Sequence, residues 1–331
     1  MARPRFLPDN MTLMLLGVVL LATFLPATGR AAEQLGVLTV VMIGVLFFLH
    51  GAKLSREAVI RGATNWRLHL TVLACTFVLF PLLGLLFKPV IVAVLTPDLY
   101  IGILFLCMLP STVQSSIAFT AVARGNVPAA ICSASASSLL GIFITPLLVG
   151  LMMASTGSAH SSLDSILKIV YQLLLPFVAG QVARRWIGAW VDGHKGLLKF
   201  VDQGSILLVV YAAFSEAVEQ GLWHQVPLHT VVNLILVCIA LLGIVMGLVV
   251  WSTRRLGFSK EDEITIFFCG SKKSLATGVP MANVLMSGGA ISMVLLPLML
   301  FHQIQLLVCA VIAARYAKRV EPLATIAVAA D

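Results

Sequence analysis

The chain has 331 residues, of which 60% are hydrophobic and only 11% charged. A soluble domain carries about 25% charged residues, so this composition excludes an ordinary soluble protein and implies a polytopic membrane protein. The net charge of +8 does not argue for nucleic acid as a partner, because the basic residues sit in short loops between apolar segments, where they set orientation.

Ten apolar segments follow one another, at about 11–28, 35–52, 67–87, 99–122, 127–153, 165–187, 197–220, 228–251, 264–286 and 289–314. Each is close to the roughly 20 residues a span requires. The first has signal-peptide features, with Arg3 and Arg5 before it and small residues after it. An uncleaved first span is nevertheless expected, because the charge pattern works with it in place.

That pattern is asymmetric. With the N-terminus inside, the loops carrying Lys53, Arg56, Arg61, Arg67, Arg184, Arg185, Lys195, Lys199, Arg254, Arg255 and Lys260 all fall on the cytoplasmic side. Only Arg30, Lys88 and Lys168 fall outside. The expected topology is ten spans with both termini cytoplasmic, in a cell membrane. The short basic stretch 55–66 is open to two readings, an interfacial turn of helix or a solvated loop.

The fourth segment contains Leu109-Pro110-Ser111-Thr112-Val113-Gln114-Ser115-Ser116. Pro110 breaks helical hydrogen bonding. Serine and threonine hydroxyls can bond back to their own helix, but the Gln114 amide needs partners that lipid does not supply. The fifth segment adds Ser133, Ser135, Ser137 and Ser138, either as small residues for close packing or as site residues. In the seventh, Glu216 stands toward the outer side, as a vestibule residue or an ordinary helix-end carboxylate.

The ninth segment is the unusual one: Phe267-Phe268-Cys269-Gly270-Ser271-Lys272-Lys273-Ser274-Leu275-Ala276-Thr277-Gly278-Val279-Pro280. Counted from Glu263, Lys272 lies about nine residues in, roughly 13 Å at the helical rise. That is near the midplane of a hydrocarbon core about 30 Å thick. Gly270, Gly278 and Pro280 flank the lysines and point to an interrupted helix. Lysines at a helix end can snorkel. At this depth, with Ser271, Ser274 and Thr277 beside them, they mark a functional site. In the tenth segment His302 also lies near mid-depth, as a proton relay or a neutral interhelical hydrogen bonder.

Ser115-Ser116-Ile117-Ala118 resembles Lys273-Ser274-Leu275-Ala276, 158 residues later. Both lie in the fourth member of a five-segment set. Because five is odd, the second set crosses the membrane in the opposite sense, giving an inverted repeat with one broken helix per half. The halves are 1–154 and 155–331.

No cysteine forms a C-x-x-C pair, and no phosphate loop, H-E-x-x-H or G-x-S-x-G motif is present. No catalytic residue, metal or cofactor is therefore assigned, and an enzyme is not expected.

The run from Cys269 to Pro280 resembles the bile acid:sodium symporter superfamily, and is most similar to its sodium/bile acid cotransporter 7-like branch. Phe47-Phe48-Leu49-His50-Gly51, Leu109 to Ser116, Ala123-Arg124-Gly125-Asn126-Val127 and Tyr211 to Glu216 resemble that family too. The resemblance implies an all-α fold of ten transmembrane helices. A panel domain would hold helices about 11–52 and 165–220, and a core domain helices about 67–153 and 228–314, with broken helices 4 and 9 crossing at the core's centre. It also implies transport of amphipathic organic anions, often with sodium. Sodium-coupled members carry a glutamate and a glutamine at the ninth-span crossover. Here Phe268 to Lys272 offers no carboxylate.

A broken helix leaves carbonyls bearing partial negative charge. Sodium can satisfy them, and so can an ammonium with three donors. One of Lys272 and Lys273 is expected to replace the ion, and the other to face the cavity and meet an anion. A buried lysine that exchanges its proton would couple transport to protons. The expected site comprises Gln114, Ser115, Ser116, Ser271, Lys272, Lys273, Ser274 and His302, with Glu216 and Ser137 as secondary candidates and no mid-span carboxylate. The expected function is secondary transport of a small organic anion by alternating access. The alternatives are a sodium-coupled symporter and a non-transporting membrane regulator.

Overall fold

A computed structural model describes residues 10–53, 65–155, 170–219, 221, 226–285 and 290–318. The stretch 54–64, which holds most of the expected interfacial turn, lies outside the described residues, as does the start of the sixth segment. Every regular element among the described residues is helical. In chain order they are α1 (Asn10–Phe24), α2 (Gly29–Lys53), α3 (Trp66–Leu86), α4 (Lys88–Val94), α5 (Pro97–Met108), α6 (Gln114–Val122) and α7 (Val127–Ser155). Then come α8 (Leu175–Gly193, entered through a π-turn at Val170–Leu174), α9 (Lys195–Glu219), α10 (Leu228–Arg255), α11 (Lys260–Gly270), α12 (Leu275–Leu285) and α13 (Ala290–Ala317).

Six of these, α2, α3, α7, α9, α10 and α13, are long and apolar enough to cross a membrane alone. Leu20, Phe24, Val37, Leu82, Leu147 and Leu236 are among many large apolar side chains left exposed. A water-soluble protein does not present such a surface, whereas acyl chains cover it.

Local sequence explains the boundaries. Thr96 caps α5 by accepting the Leu99 N–H at 3.4 Å, and Pro97 occupies the first helical position, where no donor is missed. Ser259 caps α11 by accepting from Asp262, with Glu261, Asp262 and Glu263 in the first turn. Helix stops at Met108 because Leu109 is extended and Pro110 has no N–H to offer. It stops again at Gly270 and resumes at Leu275, where Ser274 accepts the Thr277 N–H at 3.2 Å.

α2 packs along α8 and α9, and α1 lies on α9. α13 packs on α5, α6, α10 and α12, while α11 packs on α3, α6, α7 and α10. α9 also touches α12 and α13. Where α2 crosses α8, a Cβ built on Gly51 would sit 2.0 Å from the Phe177 carbonyl oxygen, and one on Gly180 would sit 1.9 Å from the Phe48 oxygen. Only glycine permits this backbone-to-backbone approach.

Candidate functional site

The two helix breaks meet. Five residues separate α5 from α6 and four separate α11 from α12. Each break strands the last carbonyls of the helix before it, and these must find donors in the protein interior.

The end of α11 is satisfied by serines. Ser271 donates its hydroxyl to the Phe267 oxygen at 2.5 Å, Ser116 to the Phe268 oxygen at 2.9 Å, and Ser111 to the Cys269 oxygen at 2.5 Å. The Ser111 N–H donates in turn to the Ser137 hydroxyl at 3.1 Å.

The end of α5 is satisfied largely by one lysine. Lys273 Nζ donates to the Cys107 oxygen at 2.8 Å and to the Leu109 oxygen at 2.7 Å. Thr145 serves the Met108 oxygen at 2.8 Å, and the Ser274 N–H serves the Pro110 oxygen at 2.9 Å. The third Lys273 donor reaches the Thr76 oxygen at 2.7 Å. That carbonyl is open for a local reason. α3 contains a π-turn at Cys75–Leu79, in which the Phe80 N–H bonds back to the Cys75 oxygen. Continuing that register would pair the next nitrogen with Thr76, but that nitrogen belongs to Pro81. The ammonium thus uses all three donors on main-chain oxygens, and it lies 4.2 Å from the centre of the Phe80 ring.

Lys272 is held differently. Its Nζ donates to the Ser115 hydroxyl at 3.2 Å, and sits 4.6 Å and 5.8 Å from the ring centres of Phe119 and Phe268. Both lysine side chains are 0% exposed. The main chain at Lys273 is fixed by Gln305. Its Oε1 accepts the Lys273 N–H at 2.9 Å, and its Nε2 donates to the Lys273 oxygen at 2.8 Å. Gln305 Nε2 also lies 2.8 Å from His302 Nδ1, an arrangement that fits an Nδ1 acting as acceptor.

In front of the crossover lies a cavity of about 480 Å³. α2, α8 and α9 form one wall; α6, α7, α12 and α13 form the other. Thr112 to Ser115 and Ser274 to Thr277, the starts of the two second half-helices, both line it.

Of the residues singled out from sequence, Gln114, Ser115, Ser135, Ser138, Ser274, Thr277 and His302 line this cavity. Ser116, Ser271, Lys272, Lys273 and Ser137 lie behind the wall, buried in the crossover. Glu216 is exposed on α9, away from this lining. The sequence leads one lysine to be expected in place of an ion and the other facing the cavity; in the fold neither lies in the lining, as stranded carbonyls draw Lys273 inward, and aromatic faces and Ser115 hold Lys272. The cavity also holds a carboxylate away from the crossover: Asp202, in the first third of α9, lines it with His50, Lys53 and Lys199. Sequence reading missed this group and Gln305. His50 and Lys53 at i and i+3, and Lys199, Asp202 and Gln203 at i, i+3 and i+4, were the available signal.

The sequence profile of the SBF-like CPA transporter family (DUF4137) matches residues 9–318. The chain is 65% identical over 319 residues to "Uncharacterized protein PA2026" of Pseudomonas aeruginosa, covering 96% of each. It is 58% identical over 318 residues to "Putative symporter YfeH" of Escherichia coli K12, covering 95% of each. To "Sodium/bile acid cotransporter 7" of Danio rerio it is 29% identical over 311 residues, covering 90% of this chain and 91% of that one.

Proposed function

The chain belongs to the SBF-like CPA transporter family, of the bile acid:sodium symporter kind, and from that premise we propose that this multi-pass membrane transporter carries a small amphipathic organic anion by alternating access. One observation carries the reading: both interrupted helices present the N-terminal ends of their second halves to a single cavity. Those ends bear partial positive charge, which favours an anionic group. Leu139, Ile142, Phe177, Ile206 and Leu306 supply apolar surface for the remainder of the molecule.

The halves 1–154 and 155–331 form an inverted repeat. α1, α2, α8 and α9 act as a panel, and the remaining helices act as a core that rocks against it. The packing of α2 on α8 and α9, and of α13 on α5 and α10, supports this division. With both termini cytoplasmic, the Lys53 and Lys199 end of the cavity faces inward. The ten-helix topology is tested by cysteine labelling from each side of the membrane. Labelling of position 257 from outside would overturn it.

Lys273 takes the place of a coupling cation. The stranded carbonyls at the crossover already have donors in Lys273, Ser111, Ser116 and Ser271, and an added sodium ion would have to displace them. Transport is therefore sodium-independent. Uptake into proteoliposomes in sodium and in choline buffer, at acidic and neutral pH, tests this. Equal rates in the two buffers are expected. A strict sodium requirement would restore the sodium-coupled reading, which the name of the cotransporter 7 relatives favours.

A further inference from the structure

The cavity wall opposite the crossover carries its own charged group. His50 and Lys53 stand one turn apart on α2, and Lys199, Asp202 and Gln203 share one face of α9. Lys53 Nζ pairs with Asp202 Oδ2 across the two helices. The carboxylate is 17% exposed, and its second oxygen, Oδ1, is buried with no hydrogen-bond partner among the described residues. Half of this carboxylate's bonding capacity is thus unused.

The charge balance of the wall gives that pair a role. Among the described residues lining the cavity, the cations are Lys53 and Lys199, and the only carboxylate is Asp202. Lys199 is exposed, so water screens it. Lys53 is the less exposed cation and is already engaged. An anion held between the half-helix N-termini and the panel wall must compete with Asp202 for that ammonium. If it wins, Asp202 retains neither its ion-pair partner nor a partner for Oδ1. An unpaired, desolvated carboxylate is costly, and neutralisation removes the cost.

We propose that Lys53 serves two anions in turn, Asp202 in the empty protein and the acidic group of the substrate in the loaded one, and that Asp202 takes up a proton from solvent as the substrate arrives. The inference rests on the anion-transport reading above and adds to it a coupling site on the panel wall. The sign follows from linkage: if loading binds a proton, the anion binds more tightly as pH falls, by up to about tenfold per pH unit. Other titratable groups face Asp202 from the helices packed against α9. α2 contributes His50 and Lys53, α9 itself Lys199, and α13 His302. Arg184 of α8 is engaged with Asp192 and the Ala52 oxygen, and the described residues of α1 and α12 carry no charge.

The test is equilibrium binding of 2-naphthalenesulfonate, an amphipathic anion whose charge does not change with pH, to the purified full chain in nanodiscs across a pH series. The wild type is expected to bind with affinity rising toward tenfold per unit of acidification. Asp202→Asn should bind with the affinity of the acid limb and without the slope. The double variant Lys53→Gln/Asp202→Asn, which strands no charge, should lose at least tenfold at every pH. His50→Gln and His302→Gln should each keep the slope. If Asp202→Asn retains the wild-type slope, if either histidine variant abolishes it, or if the double variant binds like the wild type, this coupling site is refuted while anion transport stands. If the wild type shows no binding at any pH, the anion reading beneath it falls as well.

Discussion

Ser111 donates its hydroxyl to the carbonyl oxygen of Cys269 at 2.5 Å, and so ties the break in one interrupted helix directly to the break in the other. The two residues are 158 positions apart, the same offset that separates Ser115 from Lys273. A repeat related by a two-fold axis would place equivalent residues together only at that axis, so the bond supports the inverted-repeat reading.

Ser111→Ala removes this tie and leaves the buried Cys269 oxygen without that donor. A loss of about 1–3 kcal/mol is expected. Thermal unfolding of the purified protein should show a clear fall in Tm. Thr71→Ala, whose hydroxyl serves the Arg67 oxygen within α3, should stay within about 0.5 kcal/mol of wild type.

The loss of each lysine should differ in size. Lys273→Met strands the oxygens of Thr76, Cys107 and Leu109 together, and should cost about 3 kcal/mol or more. Lys272→Met replaces a desolvated charge, held by one hydroxyl and two rings, with an apolar side chain of similar volume. It should cost under about 1 kcal/mol or stabilise slightly, while still abolishing transport if its hold on Ser115 shapes the cavity. Parallel melting curves of the two variants decide the ranking, and equal losses would contradict it.

Much of this site was legible in the sequence. Pro110 and Gly270 announced the breaks, and the apolar run around Lys272 and Lys273 announced that the lysines are buried. Which lysine went where was not legible. Neighbours on a helix differ by about 100°, but across a break that angle no longer applies, and the deciding carbonyls belong to other helices. The Thr76 carbonyl had a local signature in Pro81, readable only once the π-turn is known. The pairing of Lys53 with Asp202 spans 149 positions, and no periodicity on either helix specifies it.

Gln305 holds the Lys273 main chain with both ends of its amide. Gln305→Glu keeps the acceptor but sets a second oxygen against the Lys273 carbonyl. It should be destabilised by about 2 kcal/mol or more, and more than His302→Gln. Chemical unfolding of the two variants beside the wild type checks the order.

The α2–α8 crossing makes a further prediction. Gly180→Ala and Gly51→Ala each place a methyl group about 2 Å from a main-chain oxygen, so the helices must separate. A loss of about 1–3 kcal/mol or more and a falling yield of monodisperse protein are expected. Gly44→Ala meets nothing within 4 Å and should be neutral or stabilise by up to about 1 kcal/mol. Size-exclusion profiles and Tm values separate the cases.

That crossing also bears on how motion passes through the protein. Phe47 and His50 beside Gly51, and Phe177 beside Gly180, all line the cavity. Two backbones in direct contact leave no flexible side chains between them to take up slack, so α2 and α8 behave as one stiff lever. If the two walls of the cavity move against each other, as proposed, the give must come not from this crossing but from the other seam, where α9 meets α12 and α13.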